Sequence, residues 1–457
     1  MDHTYDARRR GDCVDVVEGS CGIPTIPGEP ETGNYFVSTY PPFSTWEAEH
    51  AAWYREALAR PCDDKSGFGL YVHIPYCINR CMFCYYLSYK KKNDGEVQDF
   101  YEGLLRELTL LGASPAVADR PLDFAYFGGG TPSILSAGHI ARLLQQCHTH
   151  FTAMDCREIT FECSPMTVTR GKVKAMQDGG VTRLSMGVQH LDDEVLRQNG
   201  RKHLTADVLR AYNAIRNQDF PVVNLDLISG LVGETDETFD RSLEKIIALQ
   251  PDSVTIYNLE IPQNTPLFGV VRKQVLGDKL PNWTAKRARL ARGFDRLTDA
   301  GYTRISAYTA VRNPQRHGFL YQDAQYRGAD LIGAGPASFS YLQGINHQNL
   351  ASNKSYLEAL RQGRLPFGRG CRLAAGERMV REFVLQLKLG AVERSYFLEK
   401  FGSDVGAVFA VALREHQDSG YLLVDDERIS LTDSGFLCVD RILPTFYMPH
   451  HRDVRYS

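Results

Sequence analysis

No apolar run in this sequence is long enough to span a bilayer, and the opening Met1-Asp-His-Thr-Tyr-Asp-Ala-Arg-Arg-Arg is too polar for a secretory signal. The chain is therefore expected to be cytoplasmic, with no membrane partner. It has little excess of either charge. A formal net charge of −3 and a pI near 6.5, with acidic and basic residues well mixed, leave no electrostatic footprint for nucleic acid. A disulfide framework is missing too. The eleven cysteines are odd in number, and eight of them (Cys13, Cys21, Cys62, Cys147, Cys156, Cys163, Cys371, Cys438) are scattered, which suits buried or incidental thiols in a reducing compartment. What is present is a 457-residue chain, 43% hydrophobic, able to bury one large core with smaller appendages.

The other three cysteines carry the strongest signal. Cys77, Cys81 and Cys84 fall in Tyr71-Val-His-Ile-Pro-Tyr-Cys77-Ile-Asn-Arg-Cys81-Met-Phe-Cys84, a CxxxCxxC spacing. Three thiolates this close can hold three irons of a [4Fe–4S] cube and leave the fourth iron open to a small molecule. A zinc site would ask for paired Cys-x₂₋₄-Cys elements and a fourth ligand elsewhere. No second pair exists, and His73 lies in the strand-like run before the triplet.

Six strand-like runs (70–74, 124–127, 158–162, 183–187, 222–228 and 253–257) alternate with amphipathic helical runs such as 97–111, 137–148, 205–215 and 237–249. The alternation predicts parallel βα units in an α/β fold, with chemistry gathered at the C-terminal strand ends. The triplet follows the first such strand. A further strand is expected over 302–308 after a helix over 285–298. The tail reads as helices over 378–389, 393–401 and 405–419, then a hairpin from Gly420. That pattern suggests a winged-helix-like module, read as a lid or packing module because it has no basic recognition helix. Residues 1–33, rich in Gly, Pro, Glu and Asp, predict a mobile N-terminal segment. Residues 34–67 form an aromatic, proline-bearing extension, with a helix over 47–58, that either packs on the core or covers a pocket. The expected core is 68–370 and the C-terminal helical domain 371–457.

Gly128-Gly-Gly-Thr131-Pro follows the second strand, where glycines let backbone approach a ligand. Glu162 ends the third strand, Gln189 the fourth, and Asp226 lies in the fifth; converging on one rim, they suit hydrogen bonds to ribose, amine or carboxylate groups. Phe83 is read as a packing aromatic, and Arg201 as a loop charge or a carboxylate clamp. Tyr85, Tyr86, Tyr89 and His190 are possible proton carriers, but aromatic packing and an exposed histidine explain them better, so no acid or base is assigned.

Together, the cysteine segment, Gly128-Gly-Gly-Thr131-Pro, Leu184-Ser-Met-Gly-Val-Gln189, Asn224-Leu-Asp-Leu-Ile-Ser-Gly-Leu231 and Gly333-Ala-Gly-Pro-Ala-Ser-Phe-Ser340 resemble the oxygen-independent coproporphyrinogen III oxidase family, the HemN-type radical S-adenosylmethionine (SAM) proteins. The resemblance covers about residues 68 to 440. It implies a partial (βα)₆ barrel with a helical C-terminal domain. It also implies a [4Fe–4S] cluster on Cys77, Cys81 and Cys84, and two SAM molecules. Tyr71, Gly129, Glu162 and Phe339 would line the first SAM. Phe83, Gly130, Thr131, Gln189, Arg201 and Asp226 would line the second.

The decarboxylating oxidases extend the motif to CxxxCxxCxC, whereas here Tyr85 and Tyr86 follow Cys84. Haem-chaperone relatives begin almost at the first strand, unlike this chain. The aromatic stretch after Cys84 and the long front are most similar to the class C methyltransferase and cyclopropane-forming branch. That branch implies cleavage of one SAM to a 5′-deoxyadenosyl radical and hydrogen abstraction from the methyl group of a second. Addition of that carbon to an sp² carbon of a planar acceptor then gives a methyl group or a cyclopropane, a chemistry suited to secondary metabolism such as antibiotic biosynthesis. A flavodoxin or ferredoxin would donate electrons, and a methyltransferase-type protein is a further possible partner. A decarboxylase and a haem-binding carrier on the same scaffold stand as alternatives.

Overall fold

The computed structural model describes residues 22–26, 29–62, 67–91, 93–151, 156–452 and 454. Six strands form the parallel heart of the molecule: β1 (Phe68–Ile74), β2 (Phe124–Gly129), β3 (Glu158–Cys163), β4 (Arg183–Gln189), β5 (Val222–Ser229) and β6 (Ser253–Asn258). Each pairs in parallel with the next. The helices between them include Asp94–Gly112, Ala137–His150, Thr205–Arg216 and Asp236–Leu249.

Alternation along these strands builds the site. In β1, Leu70, Val72 and Ile74 are fully buried against the helices, while Tyr71 and His73 face the interior cavity. In β4, Leu184, Met186 and Val188 point outward, and Arg183, Ser185, Gly187 and Gln189 point inward. In β5, Val223, Leu225 and Leu227 alternate with Asn224, Asp226 and Ile228 in the same way. A period of two thus sends apolar side chains to the helix layer and polar ones to the hollow of the barrel.

The sheet is longer than the six strands expected. Its order is β12-β11-β10-β9-β1-β2-β3-β4-β5-β6-β8-β7, once β7 (Thr303–Arg304), β8 (Thr309–Val311), β9 (Asp330–Ala334), β10 (Phe339–Leu342), β11 (Ile345–Asn349) and β12 (Phe367–Arg372) are added. The single strand expected over 302–308 is instead the antiparallel pair β7 and β8. β9 pairs in parallel with β1, and β10 to β12 continue antiparallel. Polar inward positions such as Asn346 and Gln348 in β11 hide this extension from a search for apolar runs.

The C-terminal part has helices Ala375–Leu387, Arg394–Phe401, Val405–Val408 and Ala410–Asp418, then a three-stranded sheet of Ala391–Glu393, Arg428–Leu431 and Leu422–Val424. Phe409 breaks the helix expected over 405–419 in two. A final helix, Asp433–Ile442, turns back to the barrel and lends Phe436, Asp440 and Arg441 to the cavity wall.

Of the segment expected to be mobile, residues 1–21, 27 and 28 lie outside the described residues. From Glu29 the chain is held. The Glu29 carboxylate, 5% exposed, meets Arg287 at 2.6 Å and Arg441 at 2.6 Å. Gly33 bridges to Ile261, and Val37 N–H donates to Asp440 at 2.9 Å. Among the described residues, no helix is long and apolar enough to cross a membrane.

Candidate active site

One cavity of about 1380 Å³ occupies the mouth of the barrel. All three cysteines of the triplet line it, as do Tyr71, Phe83, Gly129, Gly130, Thr131, Glu162, Gln189, Arg201, Asp226 and Phe339. Pockets for one small ligand run to roughly 300 to 1,000 Å³, and this one exceeds that range.

The cysteine loop leaves β1 and is held on three sides. Thr131 Oγ1 donates to Cys77 Sγ at 3.4 Å, Arg201 Nη1 to Cys81 Sγ at 3.1 Å, and Arg80 Nη2 to the Cys84 carbonyl at 3.1 Å. Burial raises the Cys77 thiol and pushes the Cys84 thiol up to about 11, so a bound cation must stabilise the thiolates. Three cysteines on one loop at the cavity, two of them already taking hydrogen bonds from Thr131 and Arg201, fit a [4Fe–4S] cluster.

Gly130 explains the glycine run. A Cβ there would stand 2.9 Å from Ile74 O, Pro75 C and Tyr76 O, so the turn packs directly on the backbone entering the cysteine loop. Gly129 has φ +108° and would press a Cβ to 2.6 Å from the His73 ring. His73 is buried; its ring nitrogens pair with Tyr71 Oη at 3.0 Å and the Leu87 carbonyl at 3.2 Å, and burial lowers its pKa to about 4.

Two carboxylates face each other across the cavity floor. Glu162 accepts from Tyr126 Oη at 2.6 Å and from Gly129 N–H at 3.2 Å, and burial raises it to about 7. Asp226 accepts from Ser185 at 3.0 Å and Asn224 at 2.7 Å, and burial raises it to about 6. Gln189 adopts φ +69° where the β4–β5 register slips, and its buried Oε1 has no hydrogen-bond partner. Strained backbone and an orphaned acceptor at one residue mark a ligand position. Arg201 bonds the Gly187 carbonyl at 2.6 Å, which turns it from a loop charge into part of the wall.

The front segment covers the cavity as well as packing on it. Phe43 stacks on Phe339 with centroids 4.5 Å apart, Trp46 lies 5.7 Å from the same ring, and Phe36 meets Tyr257 at 6.1 Å and Tyr308 at 5.2 Å. Tyr85 and Tyr86 stack at 4.6 Å. Tyr86 keeps 50% of its surface open and Tyr257 37%, both on the cavity wall. Tyr89 is structural: its Oη donates to Ala351 O at 3.1 Å. His190 was expected to be an exposed residue and is instead 1% exposed, off the cavity, beside Ser242 and Glu234. It follows a strand end, where the chain turns under the helix carrying Ser242.

Glu260 was missed in the sequence. It follows β6 as Glu162 ends β3, and that shared position is the signal that would have found it. Burial raises it to about 7, and it accepts from the backbone of Tyr35 at 3.0 Å and of Phe36. Asp440, bonded to Tyr308 and to Lys388 at 2.9 Å, comes from the last helix and has no comparable signal.

The sequence profile of the Radical SAM superfamily matches residues 71–246. An oxygen-independent coproporphyrinogen III oxidase of Pseudomonas aeruginosa is 28% identical over 407 residues, 85% of this chain and 87% of its own length. A heme chaperone HemW of Haemophilus influenzae is 33% identical over 270 residues, 58% of this chain and 68% of its own. The solved structure of coproporphyrinogen III oxidase (HemN) from Escherichia coli, a radical SAM enzyme, superposes with a TM-score of 0.79 at 24% identity, over 90% of this chain and 96% of that one.

Proposed function

The chain belongs to the HemN-type family of radical SAM proteins, and on that premise we propose that it transfers a SAM-derived one-carbon unit to an sp² carbon of a planar small molecule. Tyr86 carries the reading. It stands where the decarboxylating relatives place a fourth cysteine, stacks on Tyr85, and turns an open face to a cavity that Tyr257, Tyr308 and Phe36 also line. Unfilled aromatic surface inside a cavity favours a flat, unsaturated occupant.

A [4Fe–4S] cluster with SAM would supply, when bound and reduced, hydrogen-atom abstraction. Cys77, Cys81 and Cys84 would hold the cluster. Tyr71, Gly129, Glu162 and Phe339 would hold the first SAM, and Phe83, Gly130, Thr131, Gln189, Arg201 and Asp226 the second, the source of the methyl carbon. Glu162 and Asp226 orient amine and hydroxyl groups. The front segment keeps water and oxygen out while the acceptor is held in line. With uptake of one further electron from the external reductant, S-adenosylhomocysteine would leave and the product would carry a new methyl group or a cyclopropane.

A second reading is a coproporphyrinogen III decarboxylase or haem carrier. The names of the relatives favour it, and so does the cavity wall. Arg369 bonds Gln348 and the Phe43 carbonyl, and Arg381 the Gln325 carbonyl, so both guanidiniums could take propionates. Anaerobic reaction with SAM and, in turn, coproporphyrinogen III, haem and planar aromatics separates the two. S-adenosylhomocysteine formed only with a planar aromatic supports carbon transfer. Carbon dioxide from coproporphyrinogen III, or tight haem binding without SAM consumption, supports the second reading.

A further inference from the structure

Away from the cavity, three side chains of metal-ligating type come together. Glu377 stands in the first turn of the helix Ala375–Leu387, and His450 and His451 belong to the short turn Pro449–His451. Their ligand atoms all lie within 4.8 Å of one another, and none of the three residues lines the cavity. The two carboxylate oxygens do different work. Oε2 accepts from the Ala374 N–H at 2.8 Å and caps the helix, while Oε1 faces His450 Nε2 at 3.6 Å and His451 Nδ1 at 3.9 Å. Both separations are too long for a hydrogen bond. Around a tetrahedral zinc with bonds of about 2.0–2.1 Å, neighbouring ligand atoms stand about 3.4 Å apart, so these gaps need close by only about 0.2–0.5 Å. Among the described residues, no lysine or arginine pairs with Glu377. The Glu377 and His451 side chains are 16% and 9% exposed, and His450, at 66%, leaves the group open to solvent.

We propose that Glu377, His450 and His451 form a second metal site, for one divalent transition-metal ion of the zinc class. Two imidazoles and one carboxylate suit such an ion better than calcium or magnesium, which take oxygen ligands. Three protein ligands leave a further position for water. Tyr40 Oη stands 2.8 Å from His451 Nδ1 and accepts from the Met448 N–H at 3.2 Å. An entering ion therefore either takes that nitrogen from the hydroxyl or gains the hydroxyl as an oxygen ligand. Either way it ties the C-terminal segment to the helix start beside Tyr40. Tyr40 lies in the front segment just ahead of Phe43, whose ring stacks on Phe339 in the cavity wall. The role is structural: an ion that binds the folded chain and not the unfolded one stabilises the fold. The site is independent of both readings of the reaction.

The test uses the full chain with its cluster reconstituted, so that the cysteine triplet is occupied, and zinc ions as the probe. Anaerobic equilibrium dialysis with elemental analysis reads zinc and iron per chain together, and thermal denaturation is followed with and without zinc. The wild type is expected to take up about one zinc per chain with its iron unchanged, and to unfold at a higher temperature when zinc is present. His450→Ala alters an exposed ring, and Glu377→Gln keeps an oxygen for the Ala374 cap. Each is expected to weaken zinc binding roughly tenfold or more and to abolish the thermal shift, with iron content and the unfolding temperature without zinc near wild type. His148→Ala, which removes another exposed histidine, should bind zinc as the wild type does. A wild-type chain that takes up no zinc would overturn the proposal. So would zinc uptake that survives either variant, which would be an adventitious ion only.

Discussion

The Arg201 guanidinium reaches the Cys81 sulfur at 3.1 Å while its other nitrogen grips the Gly187 carbonyl at 2.6 Å. A fixed positive charge therefore sits on one ligand of the cluster site, and positive charge near a cluster favours its reduced form. Arg201→Gln is expected to lower the reduction potential of the reconstituted cluster. A redox titration followed by electron paramagnetic resonance measures this; a potential equal to or above wild type would remove Arg201 from this role.

Gly130 leaves no room for a side chain against the backbone of residues 74–76. Gly130→Ala is expected to cost about 1–3 kcal/mol and to leave less than one cluster per chain, because the turn and the cysteine loop must separate. Gly171, with nothing within 4 Å of its would-be Cβ, is the control, and Gly171→Ala should be neutral or slightly stabilising. Iron per chain and thermal denaturation report both.

Tyr86 turns an open face to the cavity, where the proposed acceptor would stack. Tyr86→Phe should preserve turnover, whereas Tyr86→Ala should raise KM for the acceptor about tenfold, the cost of about 1.4 kcal/mol of stacking, with iron content unchanged. Loss of the cluster in Tyr86→Ala would instead make the ring part of the loop's scaffold.

The barrel was legible because each parallel strand alternates apolar and polar residues under a helix, and the strand ends were legible because Glu162, Gln189 and Asp226 break an apolar run. The thirteen residues expected to hold the cluster and SAM all line one cavity, whereas Tyr89 and His190 do not. The extension β9 to β12 was not legible, since its inward positions are polar and its pairing partner β1 lies over 250 residues earlier. Nor was the contribution of Asp440, which reaches the wall only because the last helix folds back to meet Tyr308 and Lys388.

Burial raises Glu107 from 4.5 to about 7, where it accepts from Gly335 N–H at 2.7 Å, Asn349 at 2.6 Å and Tyr356 at 2.5 Å and so holds the turn before Phe339. A raised carboxyl keeps its proton in the folded chain where the unfolded chain has lost it. Its stabilisation is thus full below about pH 4.5 and is lost as pH rises through about 7. Urea denaturation between pH 5 and 8 isolates this contribution as a difference: the stability of the wild type relative to Glu107→Gln should fall as pH rises through about 7. An identical slope in the variant would contradict the raised pKa.

The most direct test of carbon transfer is to supply the reconstituted, reduced enzyme with SAM carrying ¹³C in its methyl group and a planar aromatic acceptor, then weigh the products. The account predicts 5′-deoxyadenosine and S-adenosylhomocysteine together, and an acceptor heavier by one labelled carbon. Deoxyadenosine without S-adenosylhomocysteine, accompanied by carbon dioxide from coproporphyrinogen III and no label in any product, would contradict it.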